Sequence, residues 1–570
     1  MDKSRDGNRD TYRTRRGRTF TIVGDPGLLT LDRLASVRDR LDEEPRIATV
    51  SVVPGTQAPG FLRATSPTGC AIVIAEDAMA LVGPVGDDIG AWSLLASEHG
   101  LWHDWLVDSG QDVAHAPTLV PLATMDAWES GEPSSSHYGV SPQPARPAAA
   151  PTTMSLVVDI TWLGAEQTGA QVLTTAALGA LIRSGQVDRL TLMGRTSLPA
   201  YAAHLAESTI VEFAETPHSP ADIVWYPNQI DQRSSIARAR DWGRRVVTTY
   251  LDLIAYDIPR YHATAESWAA YRSMQRKIAL SVDGITTISA DVADRLCAEV
   301  PRLDRRRVRP IPLGLDHLSS EMVPELPDDA DGPKAARLAS SGRPFLLVLG
   351  NDFRHKNRDF AIRVWRAVVE SGEDCDLVLA GLHVKGRSSR EAERTALGEG
   401  RGGQATCTVL GHVSERTRAW LLANAAVVLY PSSAEGFGFI PYEAAALGTP
   451  ATFTSFGPLA EISGIRDVPS SWTVGAYAND VLTLLREESA RKARVDQLGD
   501  AITRHSWDSF AADLLDLFRE IAELPQAVDS AAGSSATDAA ALAAVLSSRT
   551  WRATEPLRTA GSRLRRLMGR

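Results

Sequence analysis

Two glutamates, Glu435 and Glu443, stand with seven residues between them in the stretch AEGFGFIPYEAAALGTP (434–450). Gly436, Phe437, Gly438, Phe439 and Pro441 lie between the two acids. A carboxylate accepts hydrogen bonds from sugar hydroxyls, two at a time. Glycines let backbone approach a ligand closely. The stretch follows the apolar run AAVVLYPS, which reads as a buried strand. Pro441 suits the first turn of a helix and Gly448 its end. Strand, glycine-rich loop and helix N-terminus in that order leave outward-facing backbone amides that attract anions. Amides for phosphate and carboxylates for hydroxyls together suit a nucleotide-sugar. The same spacing also suits a blander arrangement, with Glu443 complementing the helix dipole and Glu435 solvated in the loop.

The elements that must hold this loop are legible as two series of strand, loop and helix. From Met154 onward come SLVVDITWL, DRLTLMG, DIVWYP, RRVVTTYLD, DGITTIS and VRPIPLG. After a polar connector near 317–342, a second series runs RPFLLVLG, DCDLVLAG, TCTVLG, AAVVLYPS and TPATFTS. Continuous β-rich runs joined by helical segments predict parallel sheets covered on both faces. Two doubly wound domains in tandem over 154–523 place a ligand cleft between them. No G-x-G-x-x-G follows a strand, which argues against a dehydrogenase.

Length and composition set limits on partners. The chain has 570 residues, enough for several domains. Its net charge of −10 argues against a nucleic-acid protein. Both ends are nonetheless basic: residues 2–18 carry seven Lys/Arg against three Asp, and 549–570 seven Arg against one Glu. Four scattered cysteines without C-x-x-C spacing fit a reducing compartment and offer no zinc site. No apolar run approaches the roughly 18–20 residues of a membrane span, and no secretory h-region is present. A cytoplasmic protein is expected, with the inner face of the plasma membrane as the alternative location.

The stretch PSSAEGFGFIPYEAAALGTP (431–450) resembles the E-x7-E motif of retaining GT-B glycosyltransferases of family 4. The resemblance implies that Glu435 contacts the transferred sugar, that Glu443 binds the nucleotide ribose, and that the amides of Gly438 and Phe439 lie near the diphosphate, beside Gly436. LVLGNDFRHKNRDFAIRVW (347–365) resembles the family's first donor-domain strand and basic loop. Lys356 then neutralises the leaving diphosphate, helped by Arg354, while His355 stands where the family carries an arginine. VDITWLGAEQTGAQV (158–172) resembles the first strand and glycine loop, bringing Gly164 and Gly169 near the leaving phosphate or the acceptor. VVTTYLDLIAYDIPRYH (246–262) resembles the segment bearing a His-Asp pair; Asp252 is kept as a catalytic candidate and Leu251 replaces the histidine. A leucine there suits a 6-deoxy donor sugar. SWDSFAADLLDLF (506–518) resembles the helix that returns to the first domain.

The resemblance thus implies an α/β, GT-B fold: an acceptor domain at 154–335, a donor domain at 336–505 and a closing helix at 506–523. It implies retaining hexosyl transfer from a nucleotide-sugar to a glycan or lipid-linked glycan, in bacterial surface polysaccharide biosynthesis. No cofactor and no metal are expected, because fixed amides and Lys356 can stabilise the departing diphosphate electrostatically. The alternative is a non-catalytic scaffold or binding subunit of a polysaccharide assembly complex.

Residues 1–18 read as a disordered basic arm and 19–120 as a small α/β unit. The stretches 21–53 and 69–117 resemble parts of a GT-A glycosyltransferase of family 2, lacking its nucleotide-binding first half. Asp25 and His115 read as relics, and Ala91 and Trp92 replace an acidic pair. A truncated, inactive remnant is expected, the alternative being a working second transferase. Residues 121–153 are a Pro/Ser/Ala-rich linker. The stretch 524–570 combines a linker with a basic amphipathic tail suited to an anionic membrane surface, or equally to solvent or a subunit.

Overall fold

The computed structural model describes residues 153–527 apart from 165–167, 301, 319–325, 329–331 and 399–405, together with the backbone of seven strands near the N-terminus. Those strands are β1 (Lys3–Asp6), β2 (Arg9–Arg13), β3 (Thr19–Gly24), β4 (Ile47–Pro54), β5 (Ala71–Ala75), β6 (Trp102–Asp108) and β7 (Val113–Ala116). They form one sheet in the order β1-β2-β3-β5-β4-β6-β7, antiparallel except for the parallel pair β4 and β6. The apolar runs TFTIVG, IATVSVV and AIVIA within 19–120 form β3, β4 and β5. The stretch expected as a disordered arm instead carries β1 and β2. Their register pairs Lys3 with Tyr12 and Asp6 with Arg9. The expected linker at 121–153, the relic site at Asp25, Ala91 and Trp92, and the tail beyond 527 lie outside the described residues.

The next sheet is wholly parallel. Its strands are β8 (Met154–Asp159), β9 (Val187–Met193), β10 (Val211–Ala214), β11 (Ala221–Tyr226), β12 (Gly243–Tyr250), β13 (Gly284–Thr287) and β14 (Val308–Pro310). They lie in the order β10-β9-β8-β11-β12-β13-β14. The order reverses between β8 and β11, the switch point at which open α/β sheets place ligands. The sheet of the second lobe comprises β15 (Phe345–Leu349), β16 (Asp376–Ala380), β17 (Cys407–Gly411), β18 (Val427–Tyr430) and β19 (Ala451–Phe453). Its order is β17-β16-β15-β18-β19, all parallel, reversing between β15 and β18. Every residue of β15, β16 and β18 is buried, as sheets covered by helices on both faces require. Two such lobes in tandem form the expected GT-B fold.

The chain crosses between the lobes twice, and the two crossings are bonded to each other. Leu315 donates its backbone N–H to the carbonyl of His505, and Trp507 donates its own to Asp316. Gly314 is needed at this crossing: a Cβ there would lie 2.4 Å from the Trp507 nitrogen. The helix Gly332–Ser341 packs against Glu415–Asn424 of the second lobe through its buried Ala335 and Leu338 face. The boundary expected between 335 and 336 therefore falls inside a second-lobe helix.

After the return crossing, the helix Trp507–Glu523 lies on the first lobe against Gly169–Arg183. Ser506 caps it by accepting from the Ser509 N–H. Its buried Leu514, Phe518 and Ile521 recur at helical spacing, with Phe518 edge-on to Trp225. Burial of such a side chain contributes about 1.5–3 kcal/mol each, enough to fasten the helix. The second lobe reaches back through Glu461, whose carboxylate accepts the N–H groups of Ala290 and Asp291 at 2.8 and 3.1 Å. Those two amides open a first-lobe helix, where a carboxylate is favourable.

Candidate active site

Two loops of the second lobe build the site, each leaving the C-terminal end of a central strand. After β15, the turn Arg354–Lys356 leads to Asn357, which adopts the left-handed conformation at φ 50° and opens the helix Arg358–Glu370. Asparagine is one of the few non-glycine residues that adopt it readily. Its side chain donates to the Pro431 carbonyl at 2.9 Å, and Ser433 donates its N–H to the His355 carbonyl at 2.8 Å. These two bonds lock the first loop to the second, which follows β18.

Locking places Lys356 against Glu435. The Lys356 ammonium donates to Glu435 Oε1 at 2.5 Å and to the Tyr430 hydroxyl at 3.2 Å. The Tyr430 hydroxyl donates to the same Oε1 at 2.5 Å. Burial, then the charge of Glu435, pushes the Tyr430 phenol well above its ordinary range, so it remains a donor. Glu435 is therefore a buried carboxylate held by two donors rather than a solvated loop residue.

The E-x7-E loop also meets the first lobe. A Cβ at Gly436 would lie 1.8 Å from the Leu251 carbonyl oxygen and 3.2 Å from the Asp252 Cβ. Only glycine allows that approach. Asp252 follows β12, and its carboxylate accepts the Ile254 N–H at 2.8 Å. Burial raises its pKa; the charge of Glu435 acts in the same sense, while Lys356 opposes it. The three catalytic candidates thus converge on one interlobe crevice.

The donor-binding candidates are placed unevenly. Gly438 has φ 90°, and a Cβ there would meet the Leu459 side chain at 2.7 Å. Gly169 opens the helix Gly169–Arg183, with Thr168 and Gln171 capping it reciprocally, and its Cβ position lies 3.4 Å from the Phe439 ring. Gly169 and Phe439 therefore touch across the crevice. Gly164 has no neighbour within 4 Å of its Cβ position; its carbonyl accepts from the Tyr201 hydroxyl at 2.9 Å. Glu443 lies in the first turn of Ile440–Ala446, where its carboxylate is paired with Arg418. Arg418 also holds Glu415 at 3.1 Å. Arg354 opens its turn with its N–H on the Arg387 carbonyl, and its charge acts on Tyr261 of the first lobe. His355 turns away from the Lys356 cluster and is buried, its Nδ1 2.5 Å from the Tyr261 hydroxyl.

Sequence reasoning missed Arg418, Tyr430, Tyr261 and His317. The ring of His317 lies edge-on to Phe439 at 5.7 Å, and its Nδ1 accepts from Trp507 Nε1 at 2.9 Å. Among these, only Tyr430 carried a local signal, as the last residue of the strand before the motif. A cavity of about 850 Å³ opens beside the crevice at the C-terminal ends of the first-lobe strands. Lys356 and Glu435 are not among its lining residues; Gln229, which lines it, donates to the Asp252 carbonyl at 2.8 Å. Among the described residues, no group of three or more His, Cys, Asp or Glu is placed to hold a metal ion. Among them, too, no helix is long and apolar enough to cross a membrane.

Fold and site together define a two-lobed GT-B architecture. Residues 333–497, within the second lobe, match the family model described as glycosyl transferases group 1. The chain is 30% identical over 225 residues to D-inositol 3-phosphate glycosyltransferase of Xylanimonas cellulosilytica, covering 38% of this chain and 52% of that protein. It is 23% identical over 277 residues to O-antigen chain mannosyltransferase B of Escherichia coli, covering 48% and 70%. It thus spans about half the length of the first of these relatives. Among solved structures, HepE of Anabaena in complex with UDP and glucose aligns with a TM-score of 0.45 at 14% identity, over 64% of this chain and 99% of that one.

Proposed function

We propose that the protein is a retaining hexosyltransferase. It moves a sugar from a nucleotide-sugar donor to a glycan or lipid-linked glycan, in bacterial surface polysaccharide biosynthesis. The observation that carries this reading is the Lys356–Glu435–Tyr430 cluster facing Asp252 across the interlobe crevice. The group 1 match and the two relatives named for sugar transfer support it.

In this reading the donor diphosphate lies beside Lys356 and the amides of Gly438 and Phe439. The helix that follows spans only Ile440–Ala446, so its dipole is short, and Lys356 supplies most of the neutralisation. Glu435 accepts hydroxyls of the transferred sugar, and Glu443, oriented by Arg418, accepts those of the ribose. Cleavage of the anomeric carbon–oxygen bond passes its electron pair to the diphosphate oxygen. The acceptor hydroxyl attacks from the face the diphosphate leaves, and its proton passes to a leaving-group oxygen. Closure around Gly436 excludes water and so suppresses hydrolysis. No metal is required, and the basic tail places the enzyme at an anionic membrane surface on the cytoplasmic side.

The test is a calorimetric screen of UDP-, GDP-, ADP- and dTDP-sugars against the full chain, with Lys356→Ala as control. Binding of one class, weakened about tenfold or more in the variant, supports the reading. Absence of binding to every class contradicts it.

A further inference from the structure

The cavity of the first lobe has a chemistry of its own, and its reading rests on the proposed sugar transfer. It sits where β8, β9, β10 and β11 end, at the switch between β8 and β11. Gln229 joins its wall to Asp252, and Asp252 abuts Gly436 beside Glu435. A hydroxyl at its inner end is thereby directed toward the transferred sugar. Its volume of about 850 Å³ lies in the upper part of the usual range for ligand pockets, more than a single sugar ring occupies.

We infer that this cavity receives the end of an uncharged oligosaccharide as acceptor, and discriminates against a phosphorylated small polyol. Four aromatic residues, Trp162, Phe213, Tyr226 and Trp242, line it. Such rings offer flat apolar faces to the C–H faces of sugars. The indole N–H of Trp162 is buried without a hydrogen-bond partner in the structure, a donor available to a sugar oxygen. Asp159, Glu215 and Asp231 supply carboxylates, a class that accepts sugar hydroxyls; one oxygen of Asp159 already accepts from Thr161. Against these three acids stand two cations, Arg195 and Arg238. Arg195 is partly committed, since its guanidinium donates to the Leu163 carbonyl. Among the described residues, no lysine or histidine lines the cavity. A phosphate brought here meets more negative than positive charge, which disfavours it.

The experiment uses the full-length chain on an array of uncharged bacterial oligosaccharides, the same glycans monophosphorylated, and inositol phosphate, with donor affinity measured in parallel by calorimetry. Binding to uncharged oligosaccharides, weakened about tenfold in Trp242→Ala with donor affinity unchanged, supports the inference. The exposed double change Glu215→Lys with Asp231→Lys is expected to raise affinity for the phosphorylated glycans about tenfold, a readout independent of Trp242. Three results overturn the inference: preference for phosphorylated ligands, no glycan binding by a chain that binds donor, or unchanged glycan affinity in Trp242→Ala. Loss of donor binding alone would instead strike the proposed sugar transfer and leave the glycan result standing.

Discussion

Tyr261 of the first lobe and His355 of the second share a hydrogen bond of 2.5 Å across the crevice. The Tyr261 oxygen also receives the His355 backbone N–H at 3.4 Å, so the phenol donates to Nδ1 and the ring proton sits on Nε2. Burial and the charge of Lys356 hold His355 well below the ordinary histidine range, which keeps it neutral. The residue next to Lys356 is therefore a fastener between lobes. Tyr261→Phe removes the bond while keeping the ring. A net hydrogen bond of about 1 kcal/mol predicts a loss of about fivefold in kcat/KM for the donor. Steady-state kinetics on the variant measure it; an unchanged kcat/KM would show that the bond does not contribute to closure.

Acid should loosen the hinge. Burial, aided by Arg418 and opposed by Asp316, lowers His317 to about 4, against an ordinary value near 6.5. The unfolded chain therefore takes up the proton first. The stability tied to His317 is complete above about pH 6.5 and is lost as pH falls toward about 4. The shift corresponds to about 3 kcal/mol at full protonation. His355 shifts in the same direction and adds to the slope. Denaturant melts between pH 7.5 and 4 should show falling stability. His317→Gln, which can still accept from Trp507, should flatten the curve. An equally steep curve in the variant would count against this assignment.

Gly436→Ala should separate closure from folding. The added methyl would occupy the position 1.8 Å from the Leu251 carbonyl, so the lobes must part to admit it. The expected outcome is a fall in kcat of about 100-fold, the cost of misplacing reacting groups by about 1 Å, with little change in Tm. Wild-type turnover in a folded variant would mean that this contact is not made during the reaction.

The expected 6-deoxy donor rests on Leu251, which packs partly against the hydrophobic core. A 6-deoxy donor leaves no hydroxyl to be buried unpaired at such a side chain, whereas a 6-hydroxy donor does. A preference of about tenfold or more for the 6-deoxy sugar is expected, narrowed in Leu251→His. Paired turnover assays decide it, and a clear preference for the 6-hydroxy donor would end the idea.

Much of the scaffold was legible because a fully buried parallel strand reads as an unbroken apolar run. FLLVL, DLVLA and VVLY could hardly be anything else. β10 was not legible, since VEFA is four residues long and only half-buried throughout. β1 and β2 were hidden by their charge. Lys356, Glu435 and Asp252 could be singled out through the family resemblance of their segments, each following a strand end. Arg418 and Tyr261 could not: their roles arise from partners 25 and 94 residues away. The cavity was invisible for the same reason, being assembled from the ends of four strands whose side chains are unexceptional one by one.

The central claim is that Lys356 stabilises a departing diphosphate. Its most direct test is the initial rate of nucleoside diphosphate release from the bound donor in the presence of acceptor, comparing wild type with Lys356→Ala. Loss of a fixed donor from a charge-stabilising site predicts a fall in kcat of about 100- to 1,000-fold, with the variant still folded. A variant that releases the diphosphate at the wild-type rate would contradict the account.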